Sequence, residues 1–308
     1  MSPSALILKS PLISFFPFLL FLAFLALPAQ AQDAEETIFV DSPLVVINAT
    51  VTNGGVPLSN LRKEVFTVLE NGVVQNITSF ENSSAPFAAV ILLDSSGSMG
   101  TRIDLARSAA IAFLDGIRDG DFVAIYTFDT TVRKVKAFSN DSDVPDRLFD
   151  VRAEGMTVLN DGIIEATKAL SVRPENRRAI IVLSDGADTY SSASTEKAIR
   201  FASNANVAIY TVDIAGGGAD SFQSSTDQMR SRAALKSFAE KTGGLFFSNP
   251  GGARLRESFK SVVAEIGSQY TLAYQPEGKS ERGRWVKLEV KVARPNVSVR
   301  SRTGYFSR

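Results

Sequence analysis

The stretch that decides the fold is Ala88-Ala89-Val90-Ile91-Leu92-Leu93-Asp94-Ser95-Ser96-Gly97-Ser98. Its first six residues form a continuous apolar run, which is typical of a strand buried on both faces of a parallel sheet. The run ends at Asp94, and Ser96 and Ser98 follow at a spacing of two. Ligand sites of open α/β sheets lie beyond the carboxyl ends of the strands. Because Gly97 permits a tight turn at that place, the three oxygen-bearing side chains can converge on one point.

Composition limits the chemistry that is available at that point. The 308 residues include no His and no Cys, which excludes the Ser-His-Asp triad, thiol nucleophiles and the usual zinc ligands. Any metal site therefore has to be built from oxygen, and this favours Mg²⁺, with Mn²⁺ or Ca²⁺ as the other candidates. Asp94, Ser96 and Ser98 supply one carboxylate and two hydroxyls, an incomplete set that leaves positions for water or an incoming ligand.

Two other loops are expected at the same edge of the sheet. The apolar run Ile180-Ile181-Val182-Leu183 continues into Ser184-Asp185-Gly186, and Gly155-Met156-Thr157 precedes a helical pattern. These loops add the carboxylate of Asp185 and the hydroxyl of Thr157. Asp and Ser are also common helix caps and turn formers, so each piece alone is weak evidence for a site. The three loops together, at matching strand ends, are strong evidence.

Residues 87–267 alternate between strand and helix patterns. Ile103, Ala106, Ala110 and Phe113 recur at helical spacing, and similar patterns lie within 163–170 and 255–266. Such alternation predicts a doubly wound, mostly parallel α/β sheet with helices on both faces. A short turn leads into the third of the expected strands, which is therefore predicted to be an antiparallel edge strand. The expected strands span 88–93, 122–128, 132–138, 179–183, 207–212 and 245–247.

Residues 32–86 and 268–308 have β character and flank the α/β region. Asn71-Gly72 lies between two short β-type segments, and this dipeptide is the strongest short signal for a hairpin. Each flank is too short to fold well alone. We therefore expect the two flanks to pair into one small β-sandwich, with the α/β domain of residues 87–267 inserted between them.

The first 31 residues have the features of a signal peptide. Lys9 precedes an apolar run over 11–27, and Ala29-Gln30-Ala31 is an A-x-A cleavage site. We expect cleavage after Ala31, with an uncleaved anchor helix as the alternative. No later run is apolar enough to span a membrane, so the mature chain is expected to be periplasmic, attached to the cell surface or secreted.

The three loops resemble the von Willebrand factor A (VWFA) domain over about residues 87–267. Asp94-Ser95-Ser96-Gly97-Ser98 resembles its D-x-S-x-S metal-ion-dependent adhesion site, and Leu183-Ser184-Asp185-Gly186 resembles its [LI]-[ST]-D-G motif. Gly155-Met156-Thr157 resembles its G-G-T motif, with Met in place of the middle Gly. The resemblance implies Mg²⁺ or Mn²⁺ at the site and a partner's carboxylate at an open position. The metal ligands that it implies, directly or through water, are Asp94, Ser96, Ser98, Thr157 and Asp185.

The flanks extend the resemblance. Phe66-Thr67-Val68-Leu69-Glu70-Asn71-Gly72 and Arg302-Thr303-Gly304-Tyr305-Phe306 resemble exported bacterial VWFA-related domain proteins, which carry β segments on both sides of the A domain. This resemblance covers nearly the whole mature chain. It implies protein interaction outside the cytoplasm, and it names no ligand.

The leading functional hypothesis is an exported, non-enzymatic module that binds an acidic side chain of another protein through the cation. A metal-dependent hydrolase or phosphotransferase is the second hypothesis, since a strand-end Asp with Mg²⁺ also serves phosphoryl transfer. The third is a structural module whose metal only holds loops. With 33 basic and 33 acidic residues, the chain gives no reason to expect a nucleic-acid partner.

Several other residues are given structural roles. Asp188 is expected to be a solvated loop residue or a cap for a helix that starts near Ser194, with a role beside the metal ligands or in contact with the partner as the alternative. Trp285 falls in an alternating pattern and is expected in the core of the sandwich, with an anchor for a partner protein as the alternative. Three arginines are expected to be solvated charges beside strands and helices: Arg177, Arg178 and Arg200.

Overall fold

The computed structural model describes residues 44–82, 85–214, 225–248, 252–276 and 281–307. The predicted signal peptide lies outside the described residues. The strands are β1 (Val45–Asn53), β2 (Val56–Pro57), β3 (Phe66–Glu70), β4 (Val73–Gln75), β5 (Ile77–Glu81), β6 (Phe87–Asp94), β7 (Phe122–Phe128), β8 (Val132–Ser139), β9 (Arg177–Ser184), β10 (Val207–Asp213), β11 (Phe246–Ser248), β12 (Tyr270–Tyr274), β13 (Trp285–Val292), β14 (Ser298–Ser301) and β15 (Gly304–Phe306). The helices are α1 (Ile103–Leu114), α2 (Leu159–Ser171), α3 (Thr195–Asn204), α4 (Ser225–Thr242) and α5 (Gly252–Gly267).

A six-stranded sheet in the order β11-β10-β9-β6-β7-β8 forms the centre of the α/β region. Neighbouring strands are parallel except β7 and β8, which pair antiparallel. The predicted fold class and the antiparallel edge strand are therefore confirmed. All eight residues of β6 are buried, as its apolar run requires.

Helices cover both faces of this sheet. Phe87, Ala89, Ile91 and Leu93 of β6 belong to one apolar cluster, together with residues of α1 and α5. The alternate residues of β6 belong to a second cluster, together with residues of α2, α3 and α4. Because successive side chains of a strand point to opposite faces, a strand covered on both sides has to be apolar throughout.

Two antiparallel sheets are built from the flanking segments. One has the order β14-β1-β12-β5, with β2 on β1, and the other has the order β15-β13-β3-β4. Their apolar residues form a single cluster that includes Ile47, Val68, Tyr270 and Leu288. The β3–β4 turn is the predicted hairpin at Asn71-Gly72, where both residues have positive φ, as a two-residue loop of this kind requires.

The expectation for Trp285 is wrong. β13 alternates between exposed and buried residues, and Val286, Leu288 and Val290 are the ones that enter the core. Trp285 has the opposite phase and is 38% exposed. Its ring packs edge-on against Phe306 of β15, with 4.9 Å between centroids.

Arg177 is completely buried, so the expectation that it is solvated is also wrong. Its guanidinium donates hydrogen bonds to the carbonyls of Ala85 and Gly267, both at 3.1 Å, and to that of Asn82. It also donates to the Thr271 hydroxyl at 3.3 Å. These four oxygens replace water, and burial lowers the Arg177 pKa to about 10, which leaves it protonated at neutral pH.

The other two arginines differ from each other. Arg178 is half-buried and donates to the carbonyl of Arg173 at 2.7 Å, so it is not simply solvated. Arg200 is exposed, as expected, and its guanidinium lies 4.1 Å from the centroid of the Phe306 ring.

Among the helices in the described ranges, none combines the length and the hydropathy that crossing a bilayer requires.

Candidate metal site

Asp94 is the last residue of β6 and is completely buried. The chain turns immediately, and the backbone N–H and the hydroxyl of Ser96 both donate to Asp94 Oδ1, at 2.9 and 2.5 Å. Ser98 Oγ lies 3.0 Å from Ser96 Oγ. The structure thus joins three of the predicted residues in one hydrogen-bonded chain. Asp94 and Ser96 form its buried end, and Ser98 is exposed.

Ser184, the last residue of β9, holds the other oxygen of Asp94. Its hydroxyl donates to Asp94 Oδ2 at 2.6 Å and accepts from the N–H of Gly186 at 2.9 Å. Sequence reasoning did not assign Ser184 to the site. The signal that identifies it is its position between Leu183 and Asp185 in the [LI]-[ST]-D-G motif.

Asp185 follows β9 at the same edge of the sheet and is 5% exposed. Its Oδ1 accepts from the N–H of Ala187 at 3.2 Å. The negative charge of Asp185 is close enough to raise the pKa of Asp94. No hydrogen bond joins the two carboxylates in the part of the chain that the structure describes.

Thr157 is brought to the site by its loop. Two backbone hydrogen bonds join that loop to the turn after β6, from Gly97 N to Gly155 O at 3.1 Å and from Glu154 N to Ser95 O at 2.9 Å. Thr157 is 3% exposed, and its own N–H donates to the Thr189 hydroxyl at 3.0 Å. The backbone of Thr157 is thus fixed, and its hydroxyl is not occupied by a hydrogen bond to a described residue.

The structure explains why Met156 can replace the middle Gly of the G-G-T pattern, whereas the first position remains Gly155. Gly155 has φ +78°, and a Cβ there would lie 2.6 Å from Thr130 Oγ1, so this position requires glycine. Met156 is 52% exposed, and its N–H donates to the same Thr130 hydroxyl at 3.1 Å. The middle position therefore accepts a side chain that points into solvent.

Burial raises the pKa of Asp94 to about 7, and the charge of Asp185 adds to this effect. Hydrogen bonds from Ser184 and Ser96 act in the opposite direction. A cation beside Asp94 favours its ionised form. Among the described residues, no group of three or more carboxylates is placed so that it could hold a metal ion. The five predicted residues present two carboxylates and three hydroxyls, an oxygen-only donor set that fits a hard divalent cation with retained waters.

Asp188 does not cap the helix near Ser194. Its carboxylate accepts from Asn160 N at 2.8 Å and from Ser191 N at 3.1 Å, so it caps the start of α2. Ser194 caps α3 itself and accepts from Lys197 N at 3.2 Å. Asp188 therefore has a structural role beside Thr157, because it fixes the loop that follows β9 on the first turn of α2.

The model of the von Willebrand factor type A domain family matches residues 89–187, and no curated protein matches the chain. Among solved structures, a von Willebrand factor type A protein from Catenulispora acidiphila is 15% identical, covering 84% of this chain and 72% of its own, with a TM-score of 0.48. The von Willebrand factor domain of the type V pili tip protein Mfa5 from Porphyromonas gingivalis is 13% identical, covering 64% and 99%, with a TM-score of 0.49. Proximal thread matrix protein 1 from the mussel byssus, which has a zinc-occupied metal-ion-dependent adhesion site, is 16% identical, covering 65% and 50%, with a TM-score of 0.48.

The segment that the family model matches runs from β6 to the loop after β9. It contains all three loops from which the candidate site is built. The sheet order, the helices on both faces and the family match agree. Over residues 89–187, the chain is therefore similar to the von Willebrand factor type A domain.

Proposed function

We propose that this protein is an exported protein-binding module that holds a divalent cation of the Mg²⁺ type and coordinates a carboxylate of a partner protein. The ligands, directly or through water, are Asp94, Ser96, Ser98, Thr157 and Asp185. The observation that carries the proposal is the hydrogen-bonded chain from buried Asp94 through Ser96 to exposed Ser98. The chain runs from the sheet edge to solvent, which supports a site where a partner can reach a bound cation.

The charge of the donor set favours an anionic partner group. Hydroxyls are neutral ligands, and only Asp94 and Asp185 bring negative charge. A cation in such a set keeps an attraction for a further carboxylate at a position that the protein leaves to water. Mg²⁺ is the first candidate, and Mn²⁺ and Ca²⁺ are the alternatives.

The proposed location is outside the cytoplasm. It rests on the sequence of residues 1–31, which has the charged, apolar and A-x-A regions of a signal peptide. Such a signal peptide is compatible with a protein in the periplasm, at the cell surface or in the medium.

Catalysis is the second candidate function, and one observation favours it. Asp94 has a pKa near 7 and lies 2.5 Å from the Ser96 hydroxyl, a pairing that general acid–base catalysis can use. Metal-dependent turnover of phosphoester or ester substrates by the unmutated protein, and its loss in Ser96→Ala, would establish this function in place of binding.

The primary test compares thermal unfolding with Mg²⁺ and with EDTA, followed by partner capture from an envelope fraction under the same two conditions. Ser98→Ala is the informative variant, because its exposed side chain can be removed with little effect on folding. We expect it to weaken the Mg²⁺-dependent rise in Tm and the capture, and Asp94→Ala to abolish both.

The matched control is Asp119→Ala, which removes an exposed carboxylate just before the amino end of β7, at the opposite edge of the sheet. It should leave the Mg²⁺ effect unchanged. Coincident melting curves in Mg²⁺ and EDTA for the unmutated protein would sink the metal proposal. A metal-dependent Tm without metal-dependent capture would indicate the structural role instead.

A further inference from the structure

A groove of about 500 Å³ opens beside the candidate metal site. Its wall includes Ser95, which lies between Asp94 and Ser96, and Glu154, which immediately precedes the Gly155-Met156-Thr157 loop. The groove and the metal site therefore share two chain segments.

Basic side chains exceed acidic ones in the groove, four to three. Arg133 is held by Asp129, with 3.1 Å between Nη2 and Oδ1. The other three basic residues are Lys134, Arg147 and Arg152; all are exposed, and none makes an ion pair with a described residue. Their charges are thus available to an incoming anion.

The loop that carries Arg147 and Arg152 is held in place by hydrogen bonds to α1. Arg107 of α1 donates through Nε to the carbonyl of Leu148 at 3.0 Å and through Nη2 to that of Val151. On the other side, the Ser95 hydroxyl donates to the carbonyl of Phe128 at 3.1 Å. A groove whose backbone is already ordered loses less entropy when a ligand binds.

We propose that the groove is the second contact for an acidic peptide segment of the partner. One carboxylate of the segment coordinates the cation, and a second, a few residues away, pairs with Lys134, Arg147 and Arg152. This inference rests on the proposed function of the metal site. An extended peptide advances about 3.3–3.6 Å per residue, so the spacing of the two acids sets whether both contacts form. Guanidinium groups bind carboxylates in a two-pronged geometry, which adds direction to the charge attraction.

The experiment measures the binding of fluorescent peptides to the unmutated protein in Mg²⁺ and in EDTA. One peptide has a single Asp in a Gly/Ser background, and a series adds one Glu at increasing distance on either side of it. We expect the second acid to tighten Mg²⁺-dependent binding by about five- to tenfold at a favoured spacing. The triple variant Lys134→Gln, Arg147→Gln, Arg152→Gln should lose this gain and keep its affinity for the single-Asp peptide.

The matched control removes three exposed lysines from the flanking sheets and their connections: Lys63→Gln, Lys287→Gln and Lys291→Gln. It should keep the full gain, and an equal loss in this control would overturn the groove contact in favour of a general charge effect. If the single-Asp peptide binds in Mg²⁺ and no second acid adds affinity, the groove proposal fails and the metal proposal stands. If no peptide binds more tightly in Mg²⁺ than in EDTA, the proposed function fails, and the groove proposal fails with it.

Discussion

Asp94 links the metal proposal to protonation, because both of its oxygens already accept hydrogen bonds inside the protein. Ser96 donates to Oδ1 and Ser184 to Oδ2. These bonds lower the pKa, while burial, the larger effect, raises it to about 7. Near neutral pH the side chain is therefore divided between its acid and its ionised form, and a cation selects the ionised form.

Asp94→Asn separates the metal from the fold. The amide keeps the size of the side chain and removes the buried charge, so we expect the Tm in EDTA to change by no more than about 4 °C. Mg²⁺ should then no longer raise it. Thermal unfolding with and without Mg²⁺ measures both quantities. An Asn variant that retains the Mg²⁺ effect would contradict the assignment of Asp94 as a ligand.

The stability of the protein in EDTA should fall as pH rises, whereas the stabilisation that Mg²⁺ adds should grow. In EDTA the folded state holds a proton on Asp94 up to a pH of about 7, whereas the unfolded state releases it near pH 4. The folded state thus binds more protons in this window, and the contribution of Asp94 to the free energy of unfolding falls as pH rises from about 4 to about 7. Mg²⁺ binding requires the ionised form of Asp94. The apparent affinity for Mg²⁺ should therefore increase about tenfold from pH 6 to pH 8, and the rise in Tm that Mg²⁺ causes should increase with it.

A pH series of melting curves in EDTA and in Mg²⁺ checks this prediction, and Asp94→Asn is its control. The Asn variant should lose both the decline in EDTA and the gain in Mg²⁺. A Mg²⁺ effect that is constant from pH 6 to pH 8 would show that Asp94 does not titrate in competition with the metal.

At the scale of residues, contacts between site residues close in sequence could be predicted, and contacts between residues far apart in sequence could not. Asp94, Ser96 and Ser98 lie within five residues, and a turn after a strand brings them together. Ser184 reaches Asp94 across 90 residues, and that contact depends on β9 lying directly beside β6. Arg177 was misjudged for a related reason, because its four acceptors come from segments about 90 residues away.

At the scale of elements, the strands of the central sheet could be predicted well, because β6, β7, β9 and β10 have the apolar run that a strand covered on both faces requires. Helix α4 could not, since over its 18 residues the side chains that enter the core are few: Leu235, Phe238 and Ala239. β13 shows the opposite error. The sequence predicts the alternation of β13 correctly, but it assigns Trp285 to the buried face instead of the exposed one. A shift of one position exchanges the two faces of a strand.

The loop before α2 offers a test of the site as an assembled element. Gly155→Ala places a Cβ 2.6 Å from Thr130 Oγ1 at φ +78°, so we expect a loss of about 1–3 kcal/mol in the free energy of unfolding. The same strain displaces Thr157, so Mg²⁺ affinity should fall as well. Urea unfolding and Mg²⁺ titration measure the two effects.

Met156→Gly is the control for that loop, because it alters the exposed neighbour and restores the G-G-T pattern. It should change the free energy of unfolding by less than about 1 kcal/mol and leave Mg²⁺ affinity within about threefold. If Gly155→Ala lowers stability and leaves Mg²⁺ affinity unchanged, Thr157 does not contribute to the metal site.

For the whole molecule, side chains join the α/β region to the flanking sheets. Arg177, at the start of β9, donates to Thr271 of β12. Glu265 of α5 accepts from Tyr210 of β10 at 2.7 Å and pairs with Arg300 of β14. Residues 42–308 accordingly form one compact unit. Since β9 also ends at Ser184, one strand connects this junction with the candidate metal site.

This arrangement predicts that the α/β region and the flanking sheets unfold together. The single Trp of the chain, Trp285, reports on the flanking sheets, and the helical circular dichroism signal reports on the α/β region, so the two urea transitions should coincide. Arg177→Leu removes four hydrogen bonds, two of them fully buried, and should cost at least about 3 kcal/mol, whereas Arg200→Leu, at an exposed site, should cost about 1 kcal/mol or less. If Arg177→Leu separates the two transitions, its hydrogen bonds are what couples the regions, and if it lowers the stability of both equally, the shared packing is sufficient. Separate transitions in the unmutated protein, or an Arg177→Leu variant as stable as Arg200→Leu, would refute this account of the junction.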